Sequence, residues 1–304
     1  MHALLAEVTR SGFVESRHFG SVVGLDPTGA VAISRGPVED PVLPRSSAKP
    51  FQALACLAAG APLTGPALAI SAGSHIGLDQ HVSVVDRMLS DAGLTRDALR
   101  CPETWPEDEP TRDALIRAGE QPSRIRMNCS GKHAGMLAGC VAAGWSVDGY
   151  LDPAHPFQQL VRAGVEELAG EKSTHTAVDG CGAPLFALTL VGLARAIRGL
   201  VGTSVADAMR AHPEFVAGAG HVNTEVMRLL PGVIAKGGAE GVLVLATVEG
   251  HAVAVKVIDG SPRATTAIGL VTLRDLGFDV SAAAGHLSVP VLGGGLEVGR
   301  VVPV

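Results

Sequence analysis

Aromatic side chains are nearly missing from this 304-residue chain: they make up 3% of it, with Tyr150 the single tyrosine and Trp105 and Trp145 the two tryptophans. Nucleic-acid binding rests on a basic face or on rings that stack with bases, and a net charge of -6 offers no basic excess in place of the rings. Nucleic acid is therefore discounted as a partner. Charge is also sparse, 18% of residues against 47% hydrophobic, which describes a compact globule and not a disordered chain. No apolar run reaches the roughly 20 residues that span a bilayer. The start, Met1-His2-Ala3-Leu4-Leu5-Ala6-Glu7, lacks a basic segment followed by an apolar core and cleavage site. The expectation is a cytoplasmic protein with no membrane association. Cys56, Cys101, Cys129, Cys140 and Cys181 are an odd set without a CxxC pair, which fits reduced thiols better than a disulfide framework.

What is present is a strand pattern at both ends and a helical pattern between. Leu5 to Arg10, Val14 to Leu25 and Ala30 to Ser34 are separated by Ser11-Gly12 and by Asp26-Pro27-Thr28-Gly29, which predicts an antiparallel meander. Gly241 to Val248 and Ala252 to Ile258 flank Glu249-Gly250 and predict a hairpin. Helical spacing links Val82, Val85, Met88 and Leu89, then Phe157, Leu160, Val161, Val165 and Leu168, then Leu185, Leu188, Leu193 and Ile197. Short apolar runs at Pro66 to Ile70, Arg124 to Met127 and Thr176 to Val178 read as further strands. With no linker or repeat, the expected fold is α+β in a single domain, residues 1–304. Its antiparallel sheet takes strands from about 1–36 and 233–304, packed with a mostly helical region at about 37–232.

Lysine is scarce, five in the chain, and Lys49, Lys132 and Lys236 stand in short segments that also carry serine, cysteine or glycine. Lys172 and Lys256 read as an exposed loop residue and a solvent-facing strand residue. Lys49 follows Ser46 at i, i+3 in Arg45-Ser46-Ser47-Ala48-Lys49-Pro50, so a helix starting near Ser46 or Ser47 sets hydroxyl and amine on one face. A lysine depressed by burial and positive neighbours can take the serine proton. The same spacing also fits a plain N-cap serine with a solvated lysine. Lys236, in Ala235-Lys236-Gly237-Gly238, precedes the C-terminal hairpin and resembles the K-T-G element that accompanies S-x-x-K in penicillin-recognising enzymes. In that arrangement the lysine faces the serine across a cleft, and glycine lets the strand backbone, with an oxyanion-binding amide, come close. Ser74-His75 adds a second hydroxyl beside an imidazole. Cys129, Lys132 and Cys181 lie in glycine-rich junctions, where two thiolates and a neutral nitrogen suit zinc; buried inert thiols or a Cys/His pair with His133 are the other readings.

Taken in order, Arg45 to Gln52, Ser74-His75, Asn128 to Met136, Asp179 to Pro184 and Ala235 to Gly241 resemble the rhizobial-type (class 3) L-asparaginase family. The resemblance implies a fold similar to serine β-lactamases and serine-dependent glutaminases, usually as a homodimer. It implies hydrolysis of L-asparagine to L-aspartate and ammonia by two Ser-Lys pairs, Ser46 with Lys49 and Ser74 with Lys236. Ser46 is the expected nucleophile, Ser47 or Ser74 its substitutes, and Arg45, His75 and Gly238 are expected at the substrate. It also implies a Zn2+ site at Cys129, Lys132 and Cys181, where the amine must be neutral, so occupancy should fall as pH drops. One departure stands out: a Gly-Glu pair is expected after Ser-His, whereas Ser74-His75-Ile76-Gly77 runs on to Leu78-Asp79-Gln80-His81, and the missing carboxylate bears on the substrate's α-amino group. The alternatives are a glutaminase or other small-amide hydrolase and, more distantly, a non-catalytic amino-acid or zinc-binding protein on a decayed scaffold.

Overall fold

The computed structural model describes residues 1–304. The N-terminal meander forms as β1 (Ala3–Arg10), β2 (Phe13–Leu25) and β3 (Val31–Arg35), with β4 (Pro41–Val42) beyond it. The helical region begins with α1 (Lys49–Ala58), α2 (Gly65–Ser71), α3 (Asp79–Asp91), α4 (Glu109–Arg117), α5 (Ser130–Ala142) and α6 (Pro156–Ala169). Three short strands, β5 (Thr176–Val178), β6 (Pro184–Phe186) and β7 (Leu188–Thr189), lead to α7 (Leu190–Gly199), α8 (Ser204–Ala211), α9 (Pro213–Ala217) and α10 (Val222–Leu229). The chain then returns to the sheet in β8 (Val233–Gly238), β9 (Val242–Thr247) and β10 (Ala252–Val257), crosses it in α11 (Thr265–Asp275), and ends in β11 (Val289–Gly293) and β12 (Leu296–Pro303). No helix is long and apolar enough to cross a membrane.

The main sheet runs β11-β12-β1-β2-β10-β9-β8, with β3 also on β2, and every pairing is antiparallel. Strands from the two ends of the chain therefore meet at β1–β12 and β2–β10, as the α+β expectation requires. β9 is buried at every position because helices cover both faces, which is why it reads as continuous apolar sequence and not as alternation. α11 lies on the Leu243 and Leu245 side, where a methyl at Gly269 would sit 2.9 Å from each. The apolar face of α7 packs on β2, β9 and β10.

α5 is the hub of the helical region, buried along nearly its whole length. Gly131 and Gly135, one turn apart, present bare backbone to α2: an added methyl would meet Ile70 O at 2.7 Å and Ser71 Oγ at 2.7 Å. That close approach pins α5, with Lys132 in its first turn, against the helix that leads to Ser74.

Three expectations about local structure are corrected. Pro66 to Ile70 lies in α2, not in a strand. A short apolar run carries no period that tells strand from buried helix, and Pro66 in the first turn is compatible with helix entry. Arg124–Arg126 is a single 3-10 turn that delivers the chain to α5. Leu185 and Leu188 belong to β6 and β7, so the helical spacing that joined them to Leu193 and Ile197 was accidental upstream of Leu190. Thr176–Val178 is a strand, and the α3 and α6 periodicities hold.

Candidate active site

Ser46 stands in a 3-10 turn, Arg45–Ala48, that runs straight into α1. Arg45 takes φ 51°, a left-handed conformation that a long side chain adopts only when its surroundings hold it there. Ser47 closes the turn by donating from Oγ to Pro44 O at 2.7 Å and is fully buried. Ser46 is half-buried and lines a cavity of about 230 Å³. Gly238 on β8 presses on the other side of the turn: a methyl there would stand 2.7 Å from Pro44 O and 3.2 Å from Ser47 N.

Ser74 lies in the segment after α2, tied by its amide to Val216 O at 2.6 Å. Lys49 Nζ donates to Ser74 Oγ at 2.8 Å, and Lys236 Nζ approaches the same oxygen at 3.0 Å while donating to Gly237 O at 2.7 Å. Both lysines are 1% exposed. The pairing of Ser74 with Lys236 is therefore present. The pairing of Ser46 with Lys49 is not a hydrogen bond here, because the Lys49 amine is drawn to Ser74 and toward Asn128 O at 3.4 Å. Burial, and then the charge of Lys49, pushes Lys236 well below the ordinary lysine value. The amine whose hold on a proton is weakened is thus Lys236, on the β8 side of the cavity.

The cavity is also lined by Ser74, Asn128, Lys236, Gly237, Gly238 and Ala239, with His221 and Asn223 from the start of α10 and Thr266 from α11. Asn128 belongs to a segment already singled out by its glycines and cysteine, whereas nothing local in the sequence marks His221, Asn223 or Thr266. A larger cavity, about 650 Å³, is bordered by α2, α3 and α5 and is lined by none of these groups.

Beside the cavity, Cys129, Asp179 and Cys181 bring their donor atoms within 4.8 Å of one another, all buried. Lys132 Nζ lies 2.9 Å from Cys181 Sγ and 3.9 Å from Asp179 Oδ2. Two sulfurs, an amine and a carboxylate converging in a buried pocket fit the tetrahedral S/N/O preference of zinc. Asp179 joins the set only in the fold, since nothing in its spacing marks it as a ligand. The hydrogen bond from Cys181 holds Cys129 well below the thiol range, helped by Lys49 and Lys132, and pushes Cys181 itself upward. Burial alone would lower Lys132, but the sulfurs and Asp179 outweigh it and hold the amine protonated. A cation entering this cluster must displace that proton.

Two residues expected at the substrate do not line the cavity. His75 is fully buried: its Nδ1 accepts from Gly77 N at 3.2 Å and its Nε2 meets Ser130 Oγ at 2.9 Å, so it is a satisfied core histidine that does not line the cavity. Burial pushes its proton affinity far down, which keeps it neutral. Arg45 turns away to pair with Asp179 Oδ1 at 2.9 Å, which ties the Ser46 turn to the cysteine cluster. Gly238 does line the cavity.

A family model described as L-asparaginase II matches residues 6–303. No curated protein sequence matches the chain significantly. Similar solved structures include a β-lactamase from Mycobacterium bovis, 15% identical, with a TM-score of 0.44 over 85% of this chain and 95% of that one. A peptidoglycan synthesis regulatory factor (PBP3) from Streptococcus pneumoniae is 14% identical, with a TM-score of 0.47 over 94% of this chain and 85% of that one.

Proposed function

The chain belongs to the L-asparaginase II family, and from that premise we propose that it hydrolyses L-asparagine to L-aspartate and ammonia through an acyl-enzyme on Ser46. The observation that carries the reading is the shared hydroxyl: Ser74 Oγ sits between two buried amines, at 2.8 Å from Lys49 and 3.0 Å from Lys236. Ser74 passes its proton to the neutral Lys236 amine as it receives one from Lys49. Lys49, now neutral and one helical turn from Ser46, takes the Ser46 proton while Oγ attacks the side-chain amide carbon. The absence of a Ser46–Lys49 bond in the free enzyme does not count against this, since catalytic hydrogen bonds often tighten only with substrate. Backbone amides of the Ser46 turn and of the β8 end, brought together by Gly238, stabilise the oxyanion. Ammonia leaves with a proton returned along the same path, and water releases L-aspartate.

Cys129, Cys181 and Lys132, with Asp179, would hold Zn2+, and a bound ion would supply a fixed positive charge beside the cavity. Asn128, between Lys49 and Cys129, and Arg45, between Ser46 and Asp179, would carry the rigidity of that cluster to the reacting groups.

A second reading makes Ser74 the nucleophile, favoured by its direct contact with both amines. Mass spectrometry of the trapped acyl-enzyme, with ammonia release from asparagine, glutamine and a β-lactam, decides between them. Ser46→Ala is expected to abolish turnover and the adduct, whereas full activity in that variant promotes Ser74. A preference for glutamine would move the assignment to a glutaminase with the same machinery.

A further inference from the structure

The cavity around Ser46 and Ser74 is one-sided in charge. Its lining includes Lys236, Lys49 lies against it, and no aspartate or glutamate contributes to its wall. An α-amino-acid amide brings its own ammonium group, and nothing in the wall of this cavity offers an anion to receive it, so the anion must stand at the rim.

The nearby carboxylates are mostly taken. Asp79, close in sequence to Ser74, is 85% exposed and held by Arg126 Nη2 at 2.6 Å, while Nη1 of that arginine donates to Gly77 O at 2.7 Å. Asp179 is paired with Arg45 inside the cysteine cluster. The segment after Ser74-His75 reads Ile76-Gly77-Leu78 and offers no glutamate.

Glu107 differs from these. It forms no ion pair. Its Oε1 accepts from Asn128 Nδ2 at 2.5 Å, and Oε2 has no partner, so one oxygen is anchored to a residue of the cavity wall and the other is free. The loop that carries it is clamped to the Ser74 segment. Asp108 N donates to Ile76 O at 3.2 Å, and the Asp108 carboxylate caps α4 through Thr111 N at 2.9 Å. Pro106 lies so near Gly77, which has φ 80°, that a methyl on Gly77 would be 2.7 Å from Pro106 Cβ. The negative charge of Glu107 also reaches the Lys236 amine.

We propose that Glu107, held by Asn128, is the carboxylate that receives the substrate's α-ammonium group and so selects α-amino-acid amides over amides lacking that group. It rests on the amidohydrolase chemistry proposed above, and it assigns the missing anion to a loop distant in sequence from the segment where a glutamate is expected.

The test compares the full-length protein with its Glu107→Gln variant on two substrates, L-asparagine and succinamate, which has the same side-chain amide but no α-amino group. The variant should raise KM for L-asparagine about fivefold, the upper end for loss of one exposed charge pair, with kcat within about twofold and succinamate turnover unchanged. Because both substrates use the same proton path, the succinamate arm removes any effect exerted through Lys236. An equal loss on both substrates, or on neither, overturns the proposal. Calorimetric binding of L-aspartate and succinate gives the second readout: the variant should weaken only L-aspartate. If the unmodified protein released no ammonia from L-asparagine, the reaction assigned above would fall. The aspartate–succinate comparison would still decide the role of Glu107.

Discussion

Replacing Gly238 by alanine tests whether the β8 strand holds the Ser46 turn in place. The added methyl would stand 2.7 Å from Pro44 O, 3.2 Å from Ser47 N and 3.3 Å from Arg45 Cβ, whereas ordinary contact begins near 3.4 Å. Two of the three opposing atoms are backbone, so no side chain can swing aside. Strand and turn must separate by about 0.7 Å at the carbonyl contact. The turn already carries a left-handed Arg45 and feeds directly into α1, which leaves the displacement to fall on Ser46 and Lys49 together. Overpacking of this kind costs about 1–3 kcal/mol in stability, and a misplacement near 1 Å at a reacting group costs up to about 100-fold in rate. Gly238→Ala should therefore lower kcat for ammonia release by roughly 10- to 100-fold and the melting temperature by several degrees. Gly237→Ala is the control, since its methyl would meet Asn223 Nδ2 at 3.1 Å, a side chain that can move. Near-normal activity in Gly238→Ala, or a loss no greater than in Gly237→Ala, would refute the reasoning.

Lys236 should set a rising limb in the pH dependence of kcat/KM well below the ordinary lysine range, because its neutral form is the proton acceptor. Lys236→Arg, which keeps its charge at every working pH, should lose that limb and at least about 100-fold in activity; a retained limb assigns it to another group. Cys181→Ala should abolish zinc binding measured by elemental analysis of protein dialysed against zinc, and equal metal content in variant and parent would remove the cluster as a zinc site. Glu166 accepts from Arg162 and Lys172 at 2.8 Å each and from Ser173 N at 3.1 Å. Burial raises its pKa, but these partners outweigh it and hold the carboxyl at about 2. A depressed carboxyl stabilises the fold above its unfolded value and stops doing so as pH falls toward the folded one. Stability on the order of 2 kcal/mol, allowing for screening of the exposed Lys172, should thus disappear between about pH 4.5 and pH 2. Urea midpoints at pH 7, 5 and 3 should show that loss in the parent and not in Glu166→Gln, and parallel curves would refute it.

Local pattern was enough for much of the fold. β1 to β3 and the β9–β10 hairpin are bounded by turn residues, and α3 and α6 have an apolar stripe above a polar face, so periodicity alone locates them. Where burial removes the polar face the signal fails: α2 hides Leu68, Ala69 and Ile70 between neighbours and looks like a strand. The site divides in the same way. Lys49, Lys236 and the two cysteines are visible as rare types, and Ser46 and Ser74 by their place near lysine and histidine, while His221 and Asn223 reach the cavity only because the start of α10 lies there.

The chain by itself determined that strands from both termini must find each other, that the middle is helical, and which hydroxyls, amines and thiols are available for chemistry. Those follow from residue type and spacing, which act over a few residues. Only the tertiary structure decided that Lys49 reaches for Ser74 and not for its helical neighbour Ser46, and that Lys236 is the amine pushed down by burial. It also decided that His75 is a core residue, that Asp179 joins the cysteines, and that Glu107 faces the cavity wall through Asn128. The physical reason is that hydrogen-bond partners and desolvation are set by what arrives from distant segments. Ser74 and Lys236 are 162 positions apart, yet the packing that brings them into contact also buries Lys236 beside Lys49, and that burial lowers its hold on a proton.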